Sequence, residues 1–267
     1  MYCRIDGNDD VAMSGQRPIR YVCTSSVRED LVCELGEMSR TTGELLDALD
    51  ASESAVYDAL SNLEKKGLVD SHRDGWSLTG GGQLVADALG RIRDTESLLA
   101  DDEDYWNDHD TRVLPQVYRC RLPELGDYEI LRARESDLNR QVRHIASRID
   151  AVEACDIVSP VYHEAYGDAM PDHEDARLVL STDLVEGPSP ERHPHSSWES
   201  TAVRIADVPF ALGVSDEWTI LTLPERNGQW ARATLVSEDD SAIQWGRGLF
   251  ETVWADATSP EQSHFVD

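Results

Sequence analysis

Near residue 100 the hydrophobic period of this chain changes, and no single repeating layer accommodates both halves. Before it, apolar residues recur at helical spacing. Val27, Leu31, Leu35 and Met38 form one stripe of a helix starting at Ser25 or Ser26. Thr41-Thr-Gly-Glu44 reads as a capping box, since a threonine hydroxyl and a glutamate three residues on satisfy each other's free amides; Leu45, Leu46 and Leu49 continue it as a short helix. Ser52 caps a third helix with Val56, Ala59, Leu60 and Leu63 at i, i+3, i+4 and i+7, and Gly67 ends it. Asp74-Gly75 between alternating residues predicts a type I′ hairpin, whose two central positions need positive φ. Three glycines after Thr79 lead into a fourth helix with Leu84, Val85, Ala88, Leu89 and Ile92 on one face.

After it, short strands alternate with helices. Strands are expected at 128–133, 155–159, 176–181, 202–214, 218–223 and 231–236, and helices at 135–152, 162–170 and 239–254, with a loop at 188–195. This order predicts an α+β or α/β two-domain protein. The expected parts are a flexible tail over 1–24, a winged helix-turn-helix domain over 25–98 and an acidic linker over 99–126. A layered α/β sensor or regulatory domain over 127–258 and a tail over 259–267 complete it. In the linker, Tyr105 and Trp106 are expected to dock on a neighbour. No internal repeat is evident.

Charge narrows the function classes. The chain carries 24 Lys plus Arg against 52 Asp plus Glu, a net charge of −28. Such a field ordinarily argues against a nucleic-acid partner. Yet the carboxylates are dispersed through every segment, as in cytosolic proteins of halophiles, and at about 1 M salt the Debye length is about 3 Å, so net charge does not veto DNA binding there. Lysine occurs only at Lys65 and Lys66, which removes Schiff-base enzymes, Walker-type phosphate loops and His-x-Lys phosphodiesterases. The five cysteines include no Cys-x-x-Cys pair, so no disulfide framework or thiolate zinc site is indicated; Cys155 is the first candidate for a redox-sensing role. No apolar stretch nears the roughly 20 residues that cross a bilayer, and the start lacks a signal core, so the expectation is a cytoplasmic protein without membrane contact.

The turn between the second and third helices, with the third helix polar on its outer side, is a helix-turn-helix arrangement, in which short polar side chains reach base edges in the major groove. On that side lie Ser54, Tyr57, Asp58, Ser61, Asn62 and Lys65. Lys66, His72 and Arg73 complete the candidate DNA-binding set, the cations meeting phosphates. A winged helix used only as a protein interface, an adaptor that never meets DNA, is the alternative.

In the second half, His163, His173, Glu174, Asp175, His193 and His195 invite a metal hypothesis, but no fixed ligand spacing occurs, and neither metal nor cofactor is expected. No Gly-x-Ser-x-Gly elbow appears, Ser197 lying beside Trp198 in a polar loop, so no catalytic residue and no enzyme activity are expected. An α/β sheet presents ligands with the ends of its strands, which makes Ser159, Tyr162, His163, Ser181 and Asp183 candidates for a small-molecule effector. Trp245, Phe250 and Trp254 offer a dimer seam.

Several phrases carry a family resemblance. Ser25-Ser-Val-Arg28, Arg40-Thr-Thr-Gly-Glu-Leu45, Ser52-Glu-Ser-Ala-Val-Tyr57, Leu63-Glu-Lys-Lys-Gly-Leu-Val69 and Leu78-Thr79 resemble archaeal winged helix-turn-helix transcriptional regulators. Tyr105-Trp-Asn-Asp-His-Asp110, Leu114-Pro115, Leu122-Pro-Glu-Leu125, Val158-Ser-Pro-Val-Tyr-His163 and Trp245-Gly-Arg-Gly-Leu-Phe250 are similar to the haloarchaeal, methanogenesis-regulator type with a FilR1-type C-terminal domain. The resemblance implies a homodimeric transcription factor with an N-terminal reader of double-stranded DNA and a C-terminal sensor.

Overall fold

Helix caps and two tight backbone approaches build the first unit. The computed structural model describes residues 17–133, 139–161, 163–185, 200–227 and 233–259, and the chain divides into units at Ser97 and Leu98. Helices α1 (Pro18–Cys23), α2 (Ser26–Glu37), α3 (Thr42–Ala48) and α4 (Glu53–Lys65) precede a hairpin of β1 (Val69–His72) and β2 (Gly75–Leu78). Helix α5 (Gly80–Asp101) follows. The capping box forms: Glu44 N donates to Thr41 Oγ1 at 3.3 Å, and Thr41 N donates to the Glu44 carboxylate at 2.7 Å. Donation from the Thr41 N–H and from its hydroxyl at 2.8 Å holds the Glu44 carboxyl below its ordinary value. Its contribution is therefore present above the usual carboxylate pKa and is lost as pH falls through the folded value. Thr41→Ala is expected to cost about 1 kcal/mol, read as a lower denaturant midpoint with unchanged slope.

Leu31, Leu45, Val56, Leu60 and Leu63 are fully buried in the core of this unit, each contributing about 1.5–3 kcal/mol of apolar burial. Four expectations are corrected here. Residues 18–23, within the expected tail, are helical, and Val22 is fully buried. Met38 lies beyond the end of α2 and is 60% exposed. In α5, Val85, Ala86 and Leu89 face the core while Leu84 is 72% and Ile92 44% exposed. The three glycines belong to this helix, and Gly82 sits so close that a Cβ there would lie 2.0 Å from the Leu68 carbonyl oxygen, which fixes the helix's rotation. Finally, the hairpin turn is Arg73-Asp74, since His72 pairs with Gly75, and among the described residues none other than glycine has positive φ. Gly75, at φ +133°, instead lets β2 approach Arg40, with Trp76 N donating to Arg40 O at 2.8 Å and Arg40 N to Trp76 O at 3.0 Å.

The second unit is a seven-stranded mixed sheet covered on both faces. It begins with α6 (Glu103–Asp108), a 3-10 turn at Thr111–Val113, α7 (Gln116–Arg119) and a 3-10 turn at Leu122–Leu125. The acidic stretch 99–126 is thus folded, with Tyr105 and Trp106 buried in a cluster that includes Leu114, Leu125 and Phe250. Strands β3 (Tyr128–Arg132), β4 (Asp156–Ser159), β5 (Arg177–Ser181), β6 (Ala202–Ala206), β7 (Ala211–Val214), β8 (Thr219–Thr222) and β9 (Ala233–Ser237) take the order β3-β9-β8-β7-β4-β5-β6. Pairing is parallel for β4–β5–β6 and antiparallel elsewhere. The single strand expected over 202–214 is two strands. Pro209 lacks the N–H a ladder needs, and across this break the chain leaves β5 and returns beside β4.

Alternating side chains on each strand serve opposite faces. Val158, Val179, Leu221 and Leu235 pack in the cluster that holds α11 (Asp240–Asp256), whereas Leu178, Leu180, Ile220 and Val236 pack with residues of α8 (Arg140–Asp150) and α9 (Glu164–Ala169). Trp245 and Phe250 are fully buried within this unit, so they form no free seam, while Trp254 is half-buried. A short helix α10 (Thr182–Val185) follows β5. The start of the helix expected at 135, Tyr162, and the loop carrying His193, His195, Ser197 and Trp198 lie outside the described residues.

Candidate functional site

In the first unit, α4 is held by Ser52, whose hydroxyl accepts from Ala55 N at 3.3 Å, and by burial of Val56, Ala59, Leu60 and Leu63. This rotation leaves Ser54, Tyr57, Asp58, Asn62 and Lys65 exposed and Ser61 half-buried, with Tyr57 49% exposed despite its large ring. Glu53 and Glu64 share this outer surface. At the hairpin tip His72 and Arg73 are exposed, and His72 Nε2 lies 3.1 Å from Ser77 Oγ across the strands.

Lys66 is less free than a helix-end lysine. Its Nζ lies 4.3 Å from the centroid of the Tyr21 ring, and the Arg28 guanidinium lies 4.1 Å from the same ring. Arg28 is fixed further by donating to Tyr21 O at 3.2 Å and Thr24 Oγ1 at 2.8 Å. Tyr21 and Arg28 were missed as site residues because Tyr21 fell within the expected tail; Pro18 at the first turn of α1 was the local signal for a helix. Two cations gathered by one ring make a small positive feature in an acidic chain.

In the second unit, α8, α9 and one face of the sheet line a partly open cavity of about 360 Å³. Val142, Ile145 and Ile149 line it from α8, Tyr166 and Met170 from α9 and its end, and Ile157, Trp218 and Ile220 from the sheet. Burial pushes the Tyr166 phenol up to about 12, so it stays neutral. Of the candidate ligand residues, Ser159 and His163 line this cavity. Ser159 Oγ donates to Val161 O at 2.6 Å, and His163 Nδ1 accepts from Ala165 N at 3.2 Å, which in the neutral ring puts the proton on Nε2. Ser181 is buried on β5 and Asp183 is exposed on α10; neither lines the cavity. Missed were Gln141, Thr222 and Thr234, which form a hydrogen-bonded group at the wall: Gln141 Nε2 donates to Thr234 Oγ1, 2.8 Å from Thr222 Oγ1. No local pattern joins residues so far apart in sequence.

Other candidates change character. Cys155 is buried, and desolvation pushes its thiol up to about 12, which removes the thiolate a redox sensor needs. Among the described residues no group of three or more His, Cys, Asp or Glu side chains is disposed to hold a metal, and His173 Nδ1 accepts from Asp175 N at 3.1 Å. His109 and Tyr105 stack with centroids 4.0 Å apart, and the Tyr105 hydroxyl and His109 Nε2 find no hydrogen-bond partner among the described residues. No helix among those residues is long and apolar enough to cross a membrane.

Residues 138–256 match the model of the middle domain of the methanogenesis regulatory protein FilR1, and residues 16–98 match that of the HVO_A0261 N-terminal domain. The domain matched is a middle domain, where the resemblance implied a C-terminal one. A comparison with curated proteins gives no match. Among solved structures, TrmBL2, an archaeal chromatin protein, is 12% identical, over 91% of this chain and 98% of that one, with a TM-score of 0.38. A protein described as an IclR-family transcriptional regulator, RHA1_ro06953 from Rhodococcus sp., is 11% identical over 96% and 98%, with a TM-score of 0.19. The family matches support a regulator family for the chain.

Proposed function

We propose that the chain is a DNA-binding transcriptional regulator without catalytic activity, its first unit a winged helix-turn-helix and its second an effector domain. The observation that carries this reading is the capped α4, apolar residues inward and Ser54, Tyr57, Asp58, Asn62 and Lys65 outward. In this reading α4 enters the major groove, where Ser, Asn and Tyr side chains bond base edges and Asp58 accepts from a cytosine amino group. Lys65, Lys66, Arg73 and Arg28 meet phosphates, with His72 at the wing tip beside them. Leu84, Ala88 and Ile92, spaced four residues apart on α5, give a homodimer its seam. A small-molecule effector shifts the separation of the two heads through its unequal affinity for two states. Dispersed carboxylates suit a haloarchaeal cytoplasm.

The double variant Tyr57→Ala, Lys65→Ala removes one base-edge contact, worth about 1–3 kcal/mol, together with one phosphate contact, so operator affinity in mobility shift should fall at least about tenfold. Wild-type binding should persist in about 1 M KCl, where the Debye length is about 3 Å. Unchanged genome-wide occupancy by the double variant supports instead the protein-interaction adaptor, which the exposed Glu53, Asp58 and Glu64 on the same surface would suit.

A further inference from the structure

We infer that the cavity under α8 and α9 binds a neutral, largely apolar small molecule carrying one hydrogen-bonding group, seated with that group toward Gln141, Thr222 and Thr234 or toward Ser159 and His163. The inference deepens the effector reading above and rests on it for its regulatory meaning, but not for the binding itself.

Three observations point to this class of ligand. The first is size: about 360 Å³ is within the range of small-molecule sites and admits a ligand of one or two rings or a medium alkyl chain. The second is the chemistry of the wall. Charged residues make up 28% of the chain, yet among the described residues no Asp, Glu, Lys or Arg lines the cavity. An ionised ligand would lose its hydration there without a counter-charge, a cost that far exceeds any gain from contact. The neutral Tyr166 phenol does not supply one. The third is the placing of the polar groups. They stand in two small sets among aliphatic and aromatic side chains, enough to orient a ligand by one or two hydrogen bonds and too few to solvate a sugar or a nucleotide.

The test uses the purified full chain in about 1 M KCl, so that repulsion by the net charge is screened to about 3 Å. N-phenyl-1-naphthylamine, a neutral fluorophore that brightens in apolar surroundings, is titrated in, then displaced by decanol or decanoate, which share a chain length and differ in charge. Saturable binding at one site per chain is expected, with decanol displacing the probe at least about tenfold better than decanoate. Val142→Trp fills the cavity from α8 and Ile157→Phe from the sheet; each should weaken probe binding at least about tenfold while circular dichroism and melting stay close to wild type. Thr222→Val, which keeps the shape and removes a hydroxyl, should weaken decanol with little effect on the probe. No saturable probe binding, equal displacement by decanoate, or full binding in both filled variants would overturn the inference. Mobility shift with the wild-type chain keeps the two readings apart, since absence of DNA binding with saturable probe binding sinks the DNA reader and leaves the pocket standing.

Discussion

Trp245→Ala is expected to cost the unit from Leu98 onward about 4–6 kcal/mol, the largest single effect in the molecule. Trp245 is fully buried in α11, contacts Tyr118 edge-on at 6.2 Å between centroids, and donates from Nε1 to Tyr118 O at 3.0 Å. Truncation opens a cavity, worth about 3–5 kcal/mol for a buried tryptophan, and removes one hydrogen bond to the Tyr118 carbonyl, which keeps Arg121 N at 3.0 Å, worth about 1 kcal/mol. The next residue shows why the helix cannot slide to fill the gap. A Cβ on Gly246 would lie 2.8 Å from Thr219 Oγ1 and 3.0 Å from Val214 Cγ2, so the backbone already rests on the sheet. Denaturant unfolding of the full chain, with the first unit as internal control, measures the loss; a change below about 1 kcal/mol would show that α11 is not packed as described. Probe binding in the α8–α9 cavity should fall with it, because both helical layers cover the same sheet.

Gly75→Val should be nearly as damaging to the first unit, at about 3 kcal/mol or more. The position has φ +133°, which a β-branched residue does not adopt, and a Cβ there would lie 2.3 Å from Arg40 O. Relief requires β2 to move from Arg40, breaking the two backbone hydrogen bonds between Arg40 and Trp76 and the bond from Trp76 Nε1 to Thr42 Oγ1 at 3.1 Å. The hairpin would then lose its fixed angle to α3. The expected readings are a lowered melting transition of the first unit with the second unchanged and, on the proposed function, weaker DNA binding even below that transition. A variant as stable as wild type would mean that the Arg40–Trp76 bridge does not hold the hairpin.

Where information is local, the residues announced their structure. Thr41 with Glu44 and Ser52 with the 56, 59, 60, 63 spacing define α3 and α4 because a cap and an apolar stripe act within one or two turns, and these same signals set which side chains of α4 face outward. The strands fell close to their expected places for the same reason. The Tyr21–Arg28–Lys66 stack was not legible, since its members meet only after α1 folds back on α2. Nor was the cavity: two of its polar residues were named from the chain, and Gln141, Thr222 and Thr234 converge from three separate elements.

The order of residues alone decided the caps, the strand and helix segments, the switch of period and the scarcity of lysine. Tertiary contact decided the rest: the rotation of α5 through Gly82 against Leu68, the placing of the hairpin through Gly75 against Arg40, the break of one expected strand into β6 and β7, and a cavity that no charged side chain among the described residues lines, in a chain of net charge −28. The division follows from range. Hydrogen-bonding and periodic signals operate over a few residues, whereas steric exclusion and desolvation act between groups that only the folded chain brings together.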